Sequence, residues 1–258
     1  MYHIHNEMDD SNNVRKCIIL ELNELMNGVN VAGHNYDHFI AVRDHAIEAL
    51  KHEIISDRKK LQVELAALLH DVDDRKLFPN NKVSQSDSRK SQPYDREDNV
   101  NARMILEKSI KNIEDADEFI EGIIVLINLV ACSKNGDSEP PKPWMAIPRD
   151  CDRLEAIGQI GIDRCRDLCI QKKYPFHLDS TPRAYDHQHV LEAATSDRFN
   201  AYMKGTLSVS MIDHYYDKLL HIGNAKSLRS QNPYILEEAA RRNDSMVQFV
   251  IDYWKNNK

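Results

Sequence analysis

Apolar residues along the chain recur at three- and four-residue intervals, and the two-residue alternation of a half-buried strand is nowhere sustained. Val14, Ile18, Leu22 and Leu25 share one face of a segment that stops at Asn27-Gly28, which predicts a helix over 14–26 with a glycine stop. Asn35 or Asp37 can cap a second helix reaching about residue 52, with His38, Val42, Ala46, Ala49 and Leu50 on its apolar side. A third, over about 60–72, is almost entirely apolar after Glu64. A helix apolar on every side belongs in the middle of a core.

Breakers divide the rest of the chain. Residues 73–98 carry Pro79, Asn80, Asn81, Ser84, Ser86, Ser88, Ser91 and Pro93 and read as a long polar loop insertion. Helical patterns resume over about 100–108 and 115–130, then stop in 134–143, where Gly136, Pro140, Pro141 and Pro143 exclude a helix interior. Pro148 can open a helix that continues over 149–169 through Leu154, Ile157, Gly161, Cys165 and Leu168. An irregular connection over 171–188 precedes two C-terminal helices, about 206–221 and 233–254, and no internal repeat is visible. The expectation is an all-α fold: a polar tail over 1–13 and one helical domain over 14–258, with a loop insertion at 73–98 and C-terminal helices within 206–254.

Composition agrees. Only 8 Gly and 9 Pro among 258 residues favour helices, and 41% hydrophobic with 29% charged residues is ordinary for a globular protein. A formal charge of −7 gives no general footprint for nucleic acid, and no nucleic-acid partner is expected. Five cysteines without a CxxC pair argue against a disulfide framework and a zinc ribbon. The start is polar and acidic, unlike a secretory signal, and the longest apolar run, around 123–130, is broken by Asn128. No membrane partner and a cytoplasmic or nuclear location are expected.

Three groups of residues could carry chemistry: His38, the pair His70-Asp71, and the cluster Asp150-Cys151-Asp152. His38 lies on the apolar stripe of its helix, and His70-Asp71 end a segment too apolar to be exposed. Each also has a plainer reading: a satisfied core histidine, the first residue of a loop, a carboxylate complementing a helix dipole. Taken together, an ionisable set brought to apolar surroundings costs several kcal/mol unless compensated, and a divalent cation compensates it. Two imidazoles with carboxylates suit Mn²⁺, Fe²⁺, Co²⁺ or Mg²⁺, and the lack of thiolates argues against structural zinc. Periodicity favours Asp150 over Asp152 as the inward carboxylate of the last cluster, since it shares a face with Leu154, Ile157 and Gly161.

The order His38, His70-Asp71, Asp152 is similar to the H…HD…D signature of the HD-domain metal-dependent phosphohydrolase superfamily. The blocks GHNYDHFIAV (33–42), AALLHDVDDRK (66–76), DCDRLEAIGQIGI (150–162) and HYYDKLL (214–220) resemble its stand-alone subfamily, which includes nucleoside triphosphate pyrophosphohydrolases. The resemblance runs from about residue 14 to 254. It implies a single HD-type helical bundle with His38, His70, Asp71 and Asp152 as metal ligands, leaving Asp150 to orient a ligand histidine. It also implies Asp74 as general acid/base, with the adjacent Asp73 as an alternative, and His34, Lys76, Arg153 and Lys218 as phosphate contacts. The loop at 73–98 and the Pro-rich approach at 134–148 depart from the compact pattern.

The implied cofactor is a divalent cation, Mn²⁺ foremost, with Co²⁺, Ni²⁺, Fe²⁺ or Mg²⁺ as alternatives. The implied substrate is a small phosphorylated compound, a nucleotide first of all, and the reaction releases pyrophosphate from a nucleoside or deoxynucleoside triphosphate through a metal-activated water. A monophosphatase or phosphodiesterase with the same site is the alternative within enzymes, and a non-catalytic binding or regulatory protein the alternative outside them. The sequence has no GxxxxGK[ST] loop, so nucleotides would not be held as in P-loop proteins.

Overall fold

The computed structural model describes residues 2–29, with backbone alone over 2–10, and 35–74, 77–78, 99–111 and 113–257. Among them the secondary structure is helical throughout, without a strand, as the apolar spacing predicts. The chain forms two compact units, Met1–Ala131 and Cys132–Lys258. No helix among the described residues is long and apolar enough to cross a membrane.

The first unit contains α1 (Tyr2–Met26), α2 (Tyr36–Leu50), α3 (Asp57–Leu69), α4 (Val100–Ser109) and α5 (Ala116–Asn128). α3 is central, packed against α2 and α5 and touching α1, and its residues from Val63 to Leu69 are all buried. Its one charged member there, Glu64, is 4% exposed. The Glu64 carboxylate accepts from Arg15 Nε of α1 at 2.8 Å and Arg43 Nε of α2 at 3.1 Å, so one buried charge ties three helices together. Asn35 caps α2 by accepting the His38 N–H at 3.2 Å, and Ser56 caps α3 by accepting that of Lys59 at 3.4 Å.

Two boundaries in this unit differ from the pattern. α1 begins at Tyr2 rather than near Val14, because the polar residues ahead of Val14 include no Gly or Pro to stop a helix already formed. α3 ends at Leu69, and residues 70–73 form turns in which the N–H of Val72 donates to Leu69 O at 3.3 Å and that of Asp74 to Asp71 O at 2.9 Å. Residues 79–98, nearly all of the expected insertion, lie outside the described residues.

The second unit opens with the short α6 (Cys132–Asn135) and a 3₁₀ turn, Pro143–Ala146. α7 (Ile147–Glu155) and α8 (Gly158–Lys172) stand where one helix is expected. The break follows from backbone chemistry: Ile157 is buried in extended conformation, Gly158 has φ +74°, and Gly161 lies so close to the Ala156 carbonyl oxygen that a Cβ would run into it. α9 (His187–Ala193) and α10 (Ser196–Met203) are absent from the apolar pattern because α9 buries only Val190 and α10 only Phe199. Their caps were the available signal: Asp186 accepts the His189 N–H at 2.9 Å and Thr195 that of Arg198 at 3.3 Å.

The next helical run starts at Met211 after the Ser210 cap, later than the expected 206, and is α11 (Met211–His214), a π-helical segment (Tyr215–Leu219) and α12 (Leu220–Ile222). The long α13 (Pro233–Asn256) packs against α7, α8 and α9. At the junction of α11 and the π segment, His214 is half-buried, with Nδ1 3.2 Å from Ser208 Oγ. Burial, reinforced by the nearby Lys218 charge, lowers its pKa to about 3.

Two outcomes are expected for stability. Gly161→Ala should lower it by about 1–3 kcal/mol, read as a lower denaturation midpoint in urea, since the added carbon meets backbone that cannot rotate away. His214 stays neutral in the fold while the unfolded chain takes up a proton below its ordinary value near 6.5. The unfolded state therefore binds more protons between pH 6.5 and 3, and stability falls as pH drops through that window, by on the order of 1 kcal/mol at pH 5 from this group. His214→Asn should flatten that slope; an unchanged slope contradicts the assignment.

Candidate metal centre

His38 is the third residue of α2, held in its first turn by the Asn35 cap, and His70 is the residue on which α3 closes. Both rings are inside, with side chains 4% and 0% exposed, while Asp71 keeps 20%. The rings meet edge to face at 71° with centroids 5.1 Å apart, and Phe39 backs His70 at 5.6 Å. His70 Nδ1 lies 2.8 Å from Ala67 O, a carbonyl that can only accept. The proton of the neutral ring therefore sits on Nδ1, and the Nε2 lone pair faces the cluster.

The two Nε2 atoms are 3.2 Å apart, and Asp71 Oδ2 is 3.5 Å from that of His70 and 4.0 Å from that of His38. Each residue can offer one ligand atom to a group spanning no more than 4.8 Å. Donors about 2.0–2.2 Å from one cation, at tetrahedral or octahedral angles, are separated by about 3–3.5 Å. The three contacts fit that spacing with one edge slightly open. Two imidazoles and one carboxylate, with no thiolate in the group, suit a divalent cation that keeps positions open for water or substrate.

The remaining expected residues have different settings. Asp74 is half-buried, one turn beyond Asp71. Asp73, its alternative as acid/base, has both oxygens engaged by the first turn of α4: Oδ1 accepts the Asn101 N–H at 2.8 Å and Oδ2 that of Ala102 at 3.0 Å. His34 and Lys76 lie outside the described residues.

Asp152 stands in the second unit, half-buried on α7. Asp150, which periodicity favours as the inward carboxylate, is indeed fully buried, but its Oδ2 accepts the Ser230 N–H at 2.7 Å and its Oδ1 lies 3.8 Å from Arg149 Nε. These contacts anchor α7 against residue 230. Arg153, expected as a phosphate contact, is enclosed as well. It is 1% exposed and donates to Gly136 O and Ser227 O, both at 2.6 Å, and to Asp137 Oδ1 at 3.1 Å. Lys218, in the π segment, is half-buried with Nζ 5.7 Å from the Tyr202 ring centre.

Three features escaped the sequence pattern. The Ala67 carbonyl that sets the His70 tautomer is backbone and carries no residue signal. Asp73 and Asn101 meet only in three dimensions. Asp137 gathers His221 Nε2 at 2.6 Å besides Arg153, and the His221 ring stacks on Phe199 at 3.7 Å. Burial would raise the Asp137 carboxyl, but the His221 hydrogen bond and the Arg153 charge outweigh it and hold its pKa below the ordinary value. Burial pushes the Cys151 thiol well up and that of Cys165 up to about 12, so neither is a nucleophile at neutral pH.

No family model matches the sequence. The mimivirus protein described as "Uncharacterized protein L803", from Acanthamoeba polyphaga mimivirus, is 53% identical over 240 residues, covering 93% of this chain and 96% of that one. Among solved structures, an HD-superfamily hydrolase from Bacillus thuringiensis superposes with TM-score 0.60 at 20% identity, over 96% of this chain and 97% of its own. A Lactobacillus plantarum protein gives 0.61 at 20% identity, over 95% and 96%, and Bacillus subtilis YpgQ, solved in complex with ADP, gives 0.55 at 18%, over 97% and 96%. With a His-His-Asp cluster on an all-helical chain of this likeness, the protein belongs to the family of mimivirus L803 and has the HD-domain phosphohydrolase fold.

Proposed function

We propose that this protein is a metal-dependent phosphohydrolase that acts on nucleotides and releases pyrophosphate from nucleoside or deoxynucleoside triphosphates. The observation that carries the reading is the convergence of His38, His70 and Asp71 on a space the size of one divalent cation, in a chain with the fold of an HD-superfamily hydrolase. The ADP bound by YpgQ, a protein of the same fold, supports a nucleotide as substrate.

The chain's own residues have defined work in this reading. A cation held there supplies Lewis acidity toward a phosphoryl oxygen and lowers the pKa of a water. Ala67 O keeps the His70 proton on Nδ1, so that Nε2 can donate its lone pair. Burial of both rings makes the charge of Asp71 act in surroundings where it is weakly screened. Asp74, one turn on, is the carboxylate that takes the proton of the attacking water and returns it to the leaving oxygen. Lys76, His34 and Lys218 supply positive charge or hydrogen bonds to phosphate, and Asp152 adds a carboxylate ligand, as the family resemblance assigns them.

Purified protein should contain close to one divalent cation per chain, and His70→Ala and Asp71→Ala should lose it together with at least about 100-fold of the hydrolysis rate. Asp152→Ala tests its assignment through the same metal content. Asp74→Asn should retain the cation while losing roughly 10²–10⁴-fold in rate. Incubation of triphosphates with Mn²⁺, Co²⁺, Ni²⁺ or Mg²⁺ should give monophosphate and pyrophosphate. Orthophosphate as the released product would transfer the assignment to the phosphatase alternative. Failure to cleave any phosphorylated compound with every metal would overturn the enzyme reading.

A further inference from the structure

Asp71 is poorly supported by its own helix. α3 has already closed at Leu69, and the next residues are single turns of the kind that fray. A ligand carried there keeps a fixed position only when something outside the helix holds its backbone, and about half an ångström of freedom is enough to loosen a metal site. The structure provides such a hold two residues beyond Asp71.

α4 begins at Val100, and its N-cap residue, Asn99, makes no side-chain cap bond; the Asn99 amide instead donates to Asn128 Oδ1 at 3.1 Å. The first turn of α4 is capped from a distance by Asp73, whose two oxygens accept the Asn101 and Ala102 N–H groups. Asn101 answers in the other direction, its side-chain Nδ2 donating to Val72 O at 2.7 Å. Three hydrogen bonds thus join residues 72–73 to residues 101–102, and Asn101 is buried, so water competes weakly for them. The bond set also settles a charge problem. A second carboxylate two residues from Asp71 could swing toward a cation, but at the positive end of α4 with both oxygens occupied it is held elsewhere.

We infer that Asp73 and Asn101 are positioning residues for the metal centre: together they clamp the turn that presents Asp71 and Asp74, so that loss of the clamp loosens the cation site beyond what loss of a helix cap would do. The inference rests on the proposal that His38, His70 and Asp71 hold a cation, and the experiment separates the two.

Metal-free full-length protein is titrated with Mn²⁺ by calorimetry and with Co²⁺ by its visible absorption, and the melting temperature of the metal-free form is recorded beside both. Asp73→Ala and Asn101→Ala are compared with Ser56→Ala, which removes a side-chain cap of the same kind from α3 at the end remote from His70. Asp73→Ala should weaken Mn²⁺ binding about 10–100-fold and alter the Co²⁺ spectrum. Asn101→Ala should weaken binding in the same direction, and Asp73→Asn, which keeps one acceptor, should fall between. Ser56→Ala should bind within about twofold of wild type at a comparable loss in melting temperature. If Asp73→Ala or, should that variant not fold, Asp73→Asn and Asn101→Ala bind Mn²⁺ as tightly as wild type with an unchanged Co²⁺ spectrum, the clamp is only a helix cap and the inference is overturned. Wild-type protein that binds neither ion would overturn the metal reading itself, and the clamp with it.

Discussion

The site depends on the burial of α3. A helix enclosed along its last two turns, by α2 on one side and α5 on another, delivers His70 where no water reaches its side chain. An imidazole in that setting must find a partner for each nitrogen. Ala67 O serves one, and the other faces a second imidazole and a carboxylate across 3.2 and 3.5 Å. One proton shared between the two Nε2 atoms satisfies both, and the same three donor atoms have the spacing and charge that suit a divalent cation. Glu64 belongs to the same constraint. Its salt bridges to Arg15 and Arg43 fix α3 against the helices on either side, and α2 is the helix that brings His38.

How much of this was legible in the sequence varies with the kind of signal. α2 and α3 could be read because they bury long apolar stripes, α2 also from its cap Asn35, although α3 starts at Asp57 after the unread cap Ser56; His38 and His70 could be singled out because ionisable residues stood within those stripes. The ends were less legible. Residues 70–73 continue the apolar pattern of α3 through Val72, yet a helix there would take the Asp73 side chain from α4, a competitor nearly thirty positions away that no local pattern contains. The α7–α8 break was hidden for a related reason: Leu154, Ile157 and Gly161 keep helical spacing across it, and the turn shows only in the backbone, in the extended Ile157, the Gly158 φ and the closeness of Gly161 to the Ala156 carbonyl. α9 and α10 had caps without stripes. Periodicity reports burial, and helices with one buried apolar residue give it little to report.

The twelve histidines illustrate the same limit. Number alone could not separate ligands from the rest, and four of the others have partners of their own. His177 meets Tyr253 Oη at 2.5 Å and packs on Trp254, His221 serves Asp137, His189 pairs with the cap Asp186, and His214 is held neutral beside Ser208. Only Asp186, the cap three residues before His189, could be read from spacing; the partners of His177 and His221 lie far along the chain.

α7 shows why residue type is a weaker guide than setting. Within four consecutive positions, Asp150 is closed off against Ser230 and Arg149, Cys151 is an unreactive buried thiol, Asp152 reaches partial exposure, and Arg153 is enclosed by two carbonyls and Asp137. An arginine with those three partners already has its charge matched, and drawing it toward a phosphate would leave buried acceptors without donors, at a cost of about 1–3 kcal/mol for each. The charge that Arg153 shows in the sequence is thus already matched within the second unit. Of the four, Asp152 is the one that keeps partial exposure, and its buried neighbours fix the helix turn on which it stands.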